Sequence, residues 1–313
     1  MSLKIVFLGT PDFAVSVLAT VNKSKHEIVG VVTNIDKPAG RGKRINESAV
    51  KKYVVEHKLN LLQPEKLKGV DFIQSLKALE ADVFIVVAFR MLPQEVWSIP
   101  RLGTFNLHAS LLPNYRGAAP INWAIINQEV ETGLTTFLID EKIDTGNLLL
   151  QTTVTIDPRE TAGSLHDSLA ALGGSLVEQT LDEIEKGISP KPQKTNGTEK
   201  EAPKLNKTNT RIDWSASLKK IDAHIRGLSP YPVAWAELHQ DEKILPIKIY
   251  GSEVEIAEHA HPSNQIITDG KSLKIAHPEG FLIITEIQLP NKRRMIASDL
   301  LNGYQFSASA EVK

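Results

Sequence analysis

The 313-residue chain contains no cysteine, which excludes a disulfide framework, thiolate metal ligands and a cysteine nucleophile and favours a cytoplasmic location. Long apolar runs are missing too. At the N-terminus IVFLG gives way to the turn residues of TPDF, far short of a signal segment or a membrane span, so no membrane association is expected. Net charge is only −1, so a nucleic-acid partner would have to be held by local basic patches. The first strand is followed by GTPDF, with one glycine where a dinucleotide site wants G-x-G-x-x-G, and no G-x-x-x-x-G-K-[ST] occurs. A nicotinamide or nucleoside triphosphate site is therefore not expected. The nine histidines lack metal-ligand spacing such as H-E-x-x-H, so no metal is assigned. There is no internal repeat and no heptad run.

What is present is an ordinary globular composition, 42% hydrophobic and 23% charged, in a chain long enough for two domains. From Leu3 to about Lys186, the strand-like KIVFLG, EIVGVVT, DVFIVVAF and TFNLH alternate with the helix-like FAVSVLATV, NESAVKKYVVEH, DFIQSLKALE and PINWAIIN. Near-continuous apolar strands alternating with helices predict an open, mostly parallel α/β sheet with its ligand site outside the carboxyl ends of the strands. GLTTFLID and NLLLQTTVTI add a strand pair, followed by a long helix from Thr161 to Lys186. Residues 1–188 read as one domain. Residues 189–210, rich in Lys, Pro, Thr and Asn, read as a linker. Residues 211–313 hold the helical SLKKIDAHIRGL and short strands such as PVAWAEL, ILPIKIY, LKIAH and FLIITEIQL, the pattern of a small barrel or sandwich.

The strand TFNLH carries an amide and an imidazole. Residues i and i+2 share a strand face, so Asn106 and His108 stand side by side while Leu107 packs behind them. At a carboxyl end they can converge on one small group, such as a carbonyl becoming an oxyanion; a pair of hydrogen-bonded strand-end residues has the same pattern. In FLIDEKIDTGNLLL, either Asp140 or Asp144 could orient the imidazole. Asp144-Thr145-Gly146 also matches the aspartic-protease triplet, but that chemistry needs two such carboxylates and the chain has one copy.

Two stretches are basic. In DKPAGRGKRINESAVKK, six Lys and Arg face two acids, with Gly40 and Gly42 flanking Arg41. From Lys191 to Arg226, nine basic residues face four acidic ones. Such runs are usually solvated surface, and they also permit a phosphate-backbone partner.

The segments FLGTPDFA, KPAGRGK, RLGTFNLHASLLPNYRGAAPINWAI, ETGLTTFLIDEKIDTGNLL, APKLNKTNTRIDW and SPYPVAW span almost the whole chain. Together they closely resemble the methionyl-tRNA formyltransferase family. The resemblance implies a Rossmann-like formyltransferase sheet with a smaller C-terminal OB-like β-barrel that binds tRNA. It implies that Asn106, His108 and Asp144 form the catalytic group, and that Ser110, Leu111, Leu112, Pro113, Phe89, Leu92 and Asp140 contact the folate. It further implies that Arg41, Lys43 and Arg44 contact tRNA. The α-amine of methionine on initiator tRNA would attack the formyl carbon of 10-formyltetrahydrofolate, with Asn106 and His108 stabilising the oxyanion and Asp144 holding His108. No metal is implied, because the formyl donor is already activated, and a monomer is expected. A fragment ending near Gly187 is expected to keep the folate pocket and lose tRNA affinity.

Two positions depart from the family pattern. AFRMLP is one residue shorter than usual and has Arg90 in place of glycine, while DEKIDTGN puts Lys142 and Asn147 where a glycine and an acid are common. The alternatives are a related transferase or hydrolase of the same fold, acting on a small amine or water, and a non-catalytic tRNA-binding homologue.

Overall fold

The computed structural model describes residues 2–39 and 44–313, with backbone alone for 37–39 and 44–46. The chain divides into two compact units: Met1–Gly117, Thr132–Val154 and His166–Glu201 form one, and Ala118–Glu131, Thr155–Leu165 and Ala202–Lys313 the other. Two segments of the first 188 residues, 118–131 and 155–165, thus cluster with the C-terminal residues.

The first unit is built on one twisted sheet. Its strands lie in the order Leu148–Thr155, Glu131–Leu138, Thr104–His108, Val83–Val87, Lys4–Gly9, Glu27–Val32, Leu61–Leu62. From Thr104–His108 to Leu61–Leu62 every pairing is parallel, and Thr104–His108 pairs antiparallel with Glu131–Leu138. The central strands read as apolar runs because both faces are covered: all five residues of VFIVV are buried. Successive side chains alternate between faces, so Val6, Leu8, Phe84 and Val86 pack with Phe72 and Leu76 of helix Val70–Ala78. On the face of Leu107, helix Ala162–Glu185 presents Gly173, where a Cβ would stand 3.0 Å from Leu107 Cδ2 and 3.2 Å from Val17 Cγ2. With Leu107 under that helix, Asn106 and His108 point to the other face, beside the loops that leave the strand ends.

The second unit is a barrel. Its strands follow the order Ile266–Thr268, Leu273–His277, Gly280–Gln288, Lys243–Ile256, Ala234–Gln240, Glu311–Val312. The ring closes where Ile266 N donates to Ala310 O (2.8 Å) and Val312 N to Asn264 O (3.0 Å), which removes the exposed edges. Alternating burial in AWAELHQ and GFLIITEIQ fits one inward and one outward face. Helix Leu218–Leu228 adds Leu218, Ile221, Ile225 and Leu228 to the barrel core. Helix Pro120–Ile126 lies against it: Asn122 Nδ2 donates to Gly227 O at 2.8 Å. On helix Leu218–Leu228 the buried carboxylate of Asp222 accepts from Arg159 Nη1 (2.9 Å), Arg226 Nε (2.8 Å) and Ser252 Oγ (2.9 Å), the multiple partners a buried charge requires.

Candidate active site

His108 ends its strand with a side chain that is 7% exposed. Its Nε2 lies 2.8 Å from the carbonyl of Tyr115; a carbonyl only accepts, so Nε2 carries hydrogen. The other ring nitrogen, Nδ1, faces Asp144 Oδ2 at 3.8 Å. Phe137, on the neighbouring strand, sets its ring edge-on to the imidazole, with centroids 6.4 Å apart. Asn106 stands two residues earlier on the same face, and its Oδ1 is buried without a hydrogen-bond partner among the described residues. A buried acceptor left unpaired carries a cost of about 1–3 kcal/mol. Beside a histidine and a carboxylate, this oxygen is open to a donor that a ligand brings.

The two candidate carboxylates separate cleanly. Asp144 is half-buried, has φ 55°, and its Oδ2 accepts from Gly117 N at 2.9 Å while facing His108. Asp140 is exposed and turned into its own loop, where Oδ1 accepts from Lys142 N (3.0 Å) and Thr145 Oγ1 (2.8 Å). The loop then closes tightly on the sheet: a Cβ on Gly146 would stand 1.7 Å from Leu138 O, so only glycine fits. Lys142 is not among the positive-φ residues, so its backbone does not call for glycine.

The remaining folate candidates fall into two groups. Ser110 and Leu112 are buried and shape the loop: Ser110 Oγ donates to Asn114 O (2.6 Å), Thr135 Oγ1 to Ser110 O (2.6 Å) and Leu112 N to Thr135 Oγ1 (3.2 Å). Leu111 and Pro113 between and after them are partly exposed. Leu92 is buried and Phe89 packs on the same core. Arg90 reaches away to donate to Pro64 O at 2.7 Å, with its guanidinium 5.6 Å from the Phe89 ring centre. Arg41 and Lys43 lie outside the described residues. Arg44 begins the short strand Arg44–Asn46, paired antiparallel with Lys37–Ala39. Of the same basic stretch, Lys51 is bonded to Asp36 and, at 2.7 Å, to Glu47, which spends its charge locally.

Among the described residues one cluster has metal-ligand proximity, His26, Asp182 and Glu185. Lys25 Nζ already occupies it, 2.7 Å from Asp182 and 2.8 Å from Glu185, and those bonds hold the Glu185 carboxyl down at about 2. His26 precedes the amino end of its strand, whereas the site lies at the carboxyl ends, so the cluster is structural.

Two residues that hold the site were not singled out in the sequence. Tyr115, with φ 61°, supplies the carbonyl that holds His108. Gln193, within the stretch read as a linker, donates from Nε2 to Asp144 O and Gly146 O, each at 2.9 Å, and accepts from Arg116.

The fold is thus an open, mostly parallel sheet with an amide, an imidazole and a carboxylate gathered at its strand ends, and the class it belongs to is that of the formyl transferases. The family model of that description, Formyl transferase, matches residues 3–181, and its C-terminal domain model matches residues 204–305. The chain is 52% identical over 311 residues to the methionyl-tRNA formyltransferase of Flavobacterium johnsoniae, with 99% of each chain covered. It is 49% identical over 311 residues to that of Bacteroides thetaiotaomicron, with 97% of each covered. The chain belongs to the methionyl-tRNA formyltransferase family. Solved structures share the fold at lower identity. HypX from Aquifex aeolicus in complex with tetrahydrofolic acid is 18% identical with a TM-score of 0.65, over 96% of this chain and 47% of that one. An N-formyltransferase from Helicobacter canadensis is 22% identical with a TM-score of 0.63, over 90% and 98%. No helix among the described residues is long and apolar enough to cross a membrane.

Proposed function

We propose that this chain transfers the formyl group of 10-formyltetrahydrofolate to the α-amine of methionyl initiator tRNA, giving N-formylmethionyl-tRNA for translation initiation. The observation that carries the reading is identity near 50% over the whole length, C-terminal domain included, to enzymes of that name. The geometry agrees with the chemistry. The donor supplies a formyl carbon already activated by its nitrogen, so the chain's task is positioning, charge stabilisation and proton transfer. Asn106 would meet the amine hydrogen with its unpaired Oδ1 and the formyl oxygen with its amide donor. His108, anchored through Nε2–H to Tyr115 O, would take the amine proton at Nδ1 and pass it to the leaving folate nitrogen, and the Asp144 carboxylate beside Nδ1 would stabilise the positive charge on the ring in between.

In this reading Leu111 and Pro113 touch the folate directly, while Ser110, Leu112, Phe89, Leu92 and Asp140 shape its loop walls. Arg41, Lys43 and Arg44 contact the acceptor end of tRNA, and residues 211–313 supply the larger tRNA surface, with 189–210 joining them to 1–188. The enzyme works as a cytoplasmic monomer and no metal is assigned a step. The test is to mix the purified protein with charged initiator tRNA and 10-formyltetrahydrofolate and to assay formyl-methionine. Formylation of free amino sugars or glycinamide ribonucleotide instead, or formate release alone, would point to a relative of the same fold. No turnover with any acceptor would leave a tRNA-binding homologue.

A further inference from the structure

The side chain of Gln193 is the point where the two loops of the site meet. Its placement starts from backbone pairing: Leu148 N donates to Lys191 O (2.7 Å) and Lys191 N to Leu148 O (2.9 Å). This lays the segment after residue 190 beside the strand that follows the Asp140–Asn147 loop. Two residues on, Gln193 directs both Nε2 hydrogens into that loop, to Asp144 O and Gly146 O. Its Oε1 accepts from Arg116 Nε (3.2 Å) and Nη2 (2.5 Å), on the loop that carries Tyr115 and Gly117. Farther along, Tyr115 N donates to Lys200 O (2.5 Å) and Lys200 N to Asn114 Oδ1 (3.1 Å). A glutamine offers two donor hydrogens and one acceptor oxygen, and here all are used between two loops that together hold His108. Asp144 sits at φ 55°, in the left-handed region that aspartate enters more readily than most side chains but that is still uncommon outside glycine.

We infer that Gln193 is a positioning residue for the catalytic pair: it fixes the Asp144 backbone and the Arg116 loop so that Asp144 Oδ2 faces His108 Nδ1 and Tyr115 O holds His108 Nε2. This rests on the proposal that Asp144 and His108 carry the reaction. A carboxylate at 193 would face two carbonyls it cannot bond, so Gln193→Glu is worse than Gln193→Ala although it keeps an acceptor for Arg116. Gln193→Met fills the same space without polar atoms and separates lost bonds from lost packing.

The experiment measures kcat, KM for the folate, the pH profile of kcat and the thermal midpoint. It covers full-length Gln193→Ala, Gln193→Met, Gln193→Glu, Asp144→Asn and the double variant Gln193→Met with Asp144→Asn. The expected result is a fall in kcat of about 10-fold to 100-fold for Gln193→Met, with KM for the folate raised by a smaller factor than kcat falls and a kcat profile moved in the same sense as in Asp144→Asn. In the double variant the second loss should nearly vanish, because both changes act on one pair. If Asp144→Asn is inactive while Gln193→Met turns over like wild type, Gln193 has no positioning role. Multiplicative losses in the double variant would overturn it equally, as would a fall in kcat that tracks the thermal midpoint with an unchanged pH profile. Full activity in Asp144→Asn would instead remove the catalytic reading on which the inference stands.

Discussion

Asn106 is the residue whose chemistry was most legible and whose surroundings were least so. The i, i+2 rule put it beside His108 from the sequence alone, and nothing in the sequence could show that its Oδ1 is buried without a partner. Asn106→Ala is expected to lower kcat by about 100-fold or more, as removal of an oxyanion donor does. Folding should be little affected, since an orphaned acceptor is removed with the side chain. Single-turnover formylation with the folate bound tests this, and turnover near wild type would exclude Asn106 from the chemistry. For the carboxylates, sequence left Asp140 and Asp144 as equals because both follow an apolar run. In the fold they differ in what their oxygens meet. Asp144→Asn replaces the oxygen charge facing His108 and should lower kcat on the order of 100-fold or more. Asp140→Asn keeps an Oδ1 acceptor for Lys142 N and Thr145 Oγ1, so its loss should be much smaller. Equal losses in a side-by-side kcat/KM comparison would show that loop shape, not the carboxylate at 144, is what counts.

At the scale of elements, the parallel strands announced themselves because burial on both faces forces near-continuous Val, Ile and Phe, and the barrel strands because one wet face forces alternation. Helix Pro120–Ile126 was equally visible as a helix, but periodicity tells which face is apolar and not what covers it. What covers it is helix Leu218–Leu228, and the approach is close enough to name the residue that permits it. A Cβ on Gly227 would stand 2.6 Å from Ile126 Cγ1 and 2.9 Å from Asn122 O; the second is backbone and cannot rotate away. Gly227→Ala should therefore push the two helices apart, at a cost of about 1–3 kcal/mol, even though alanine is the better helix former by roughly 0.8–1.0 kcal/mol. Urea denaturation decides between the two effects, because propensity alone predicts a gain in stability where the steric argument predicts a loss. The segment 189–210 was illegible for the opposite reason: polar residues without period look like a linker whether they are solvated or bonded. Only the Leu148–Lys191 pairing gives Gln193 a direction.

For the molecule as a whole, composition suggests that a chain cut near Gly187 keeps a complete folate pocket. The contacts argue otherwise on two independent counts. Within the first unit, the cut removes Gln193 and Lys200, and with them the bonds to Asp144, Gly146, Arg116 and Tyr115. Within the second unit, it removes helix Leu218–Leu228 and bares helix Pro120–Ile126, whose Ile126 packs on the barrel core. Ile126 is partly buried, so exposing it costs part of the roughly 1.5–3 kcal/mol that full burial of such a side chain is worth, and Arg159 loses its Asp222 partner as well. A fragment 1–187 should therefore unfold at a lower temperature than the intact chain and bind a folate analogue at least tenfold more weakly, about 1.4 kcal/mol. A fragment 1–201, which restores the Gln193 and Lys200 contacts but not the covering helix, should recover folate affinity before it recovers stability. Calorimetric titration with the analogue and thermal melts on the two fragments and the full chain separate these contributions. If 1–187 binds the analogue as tightly as the intact chain, the pocket needs nothing beyond residue 187, and residues 189–210 serve as a tether to the barrel.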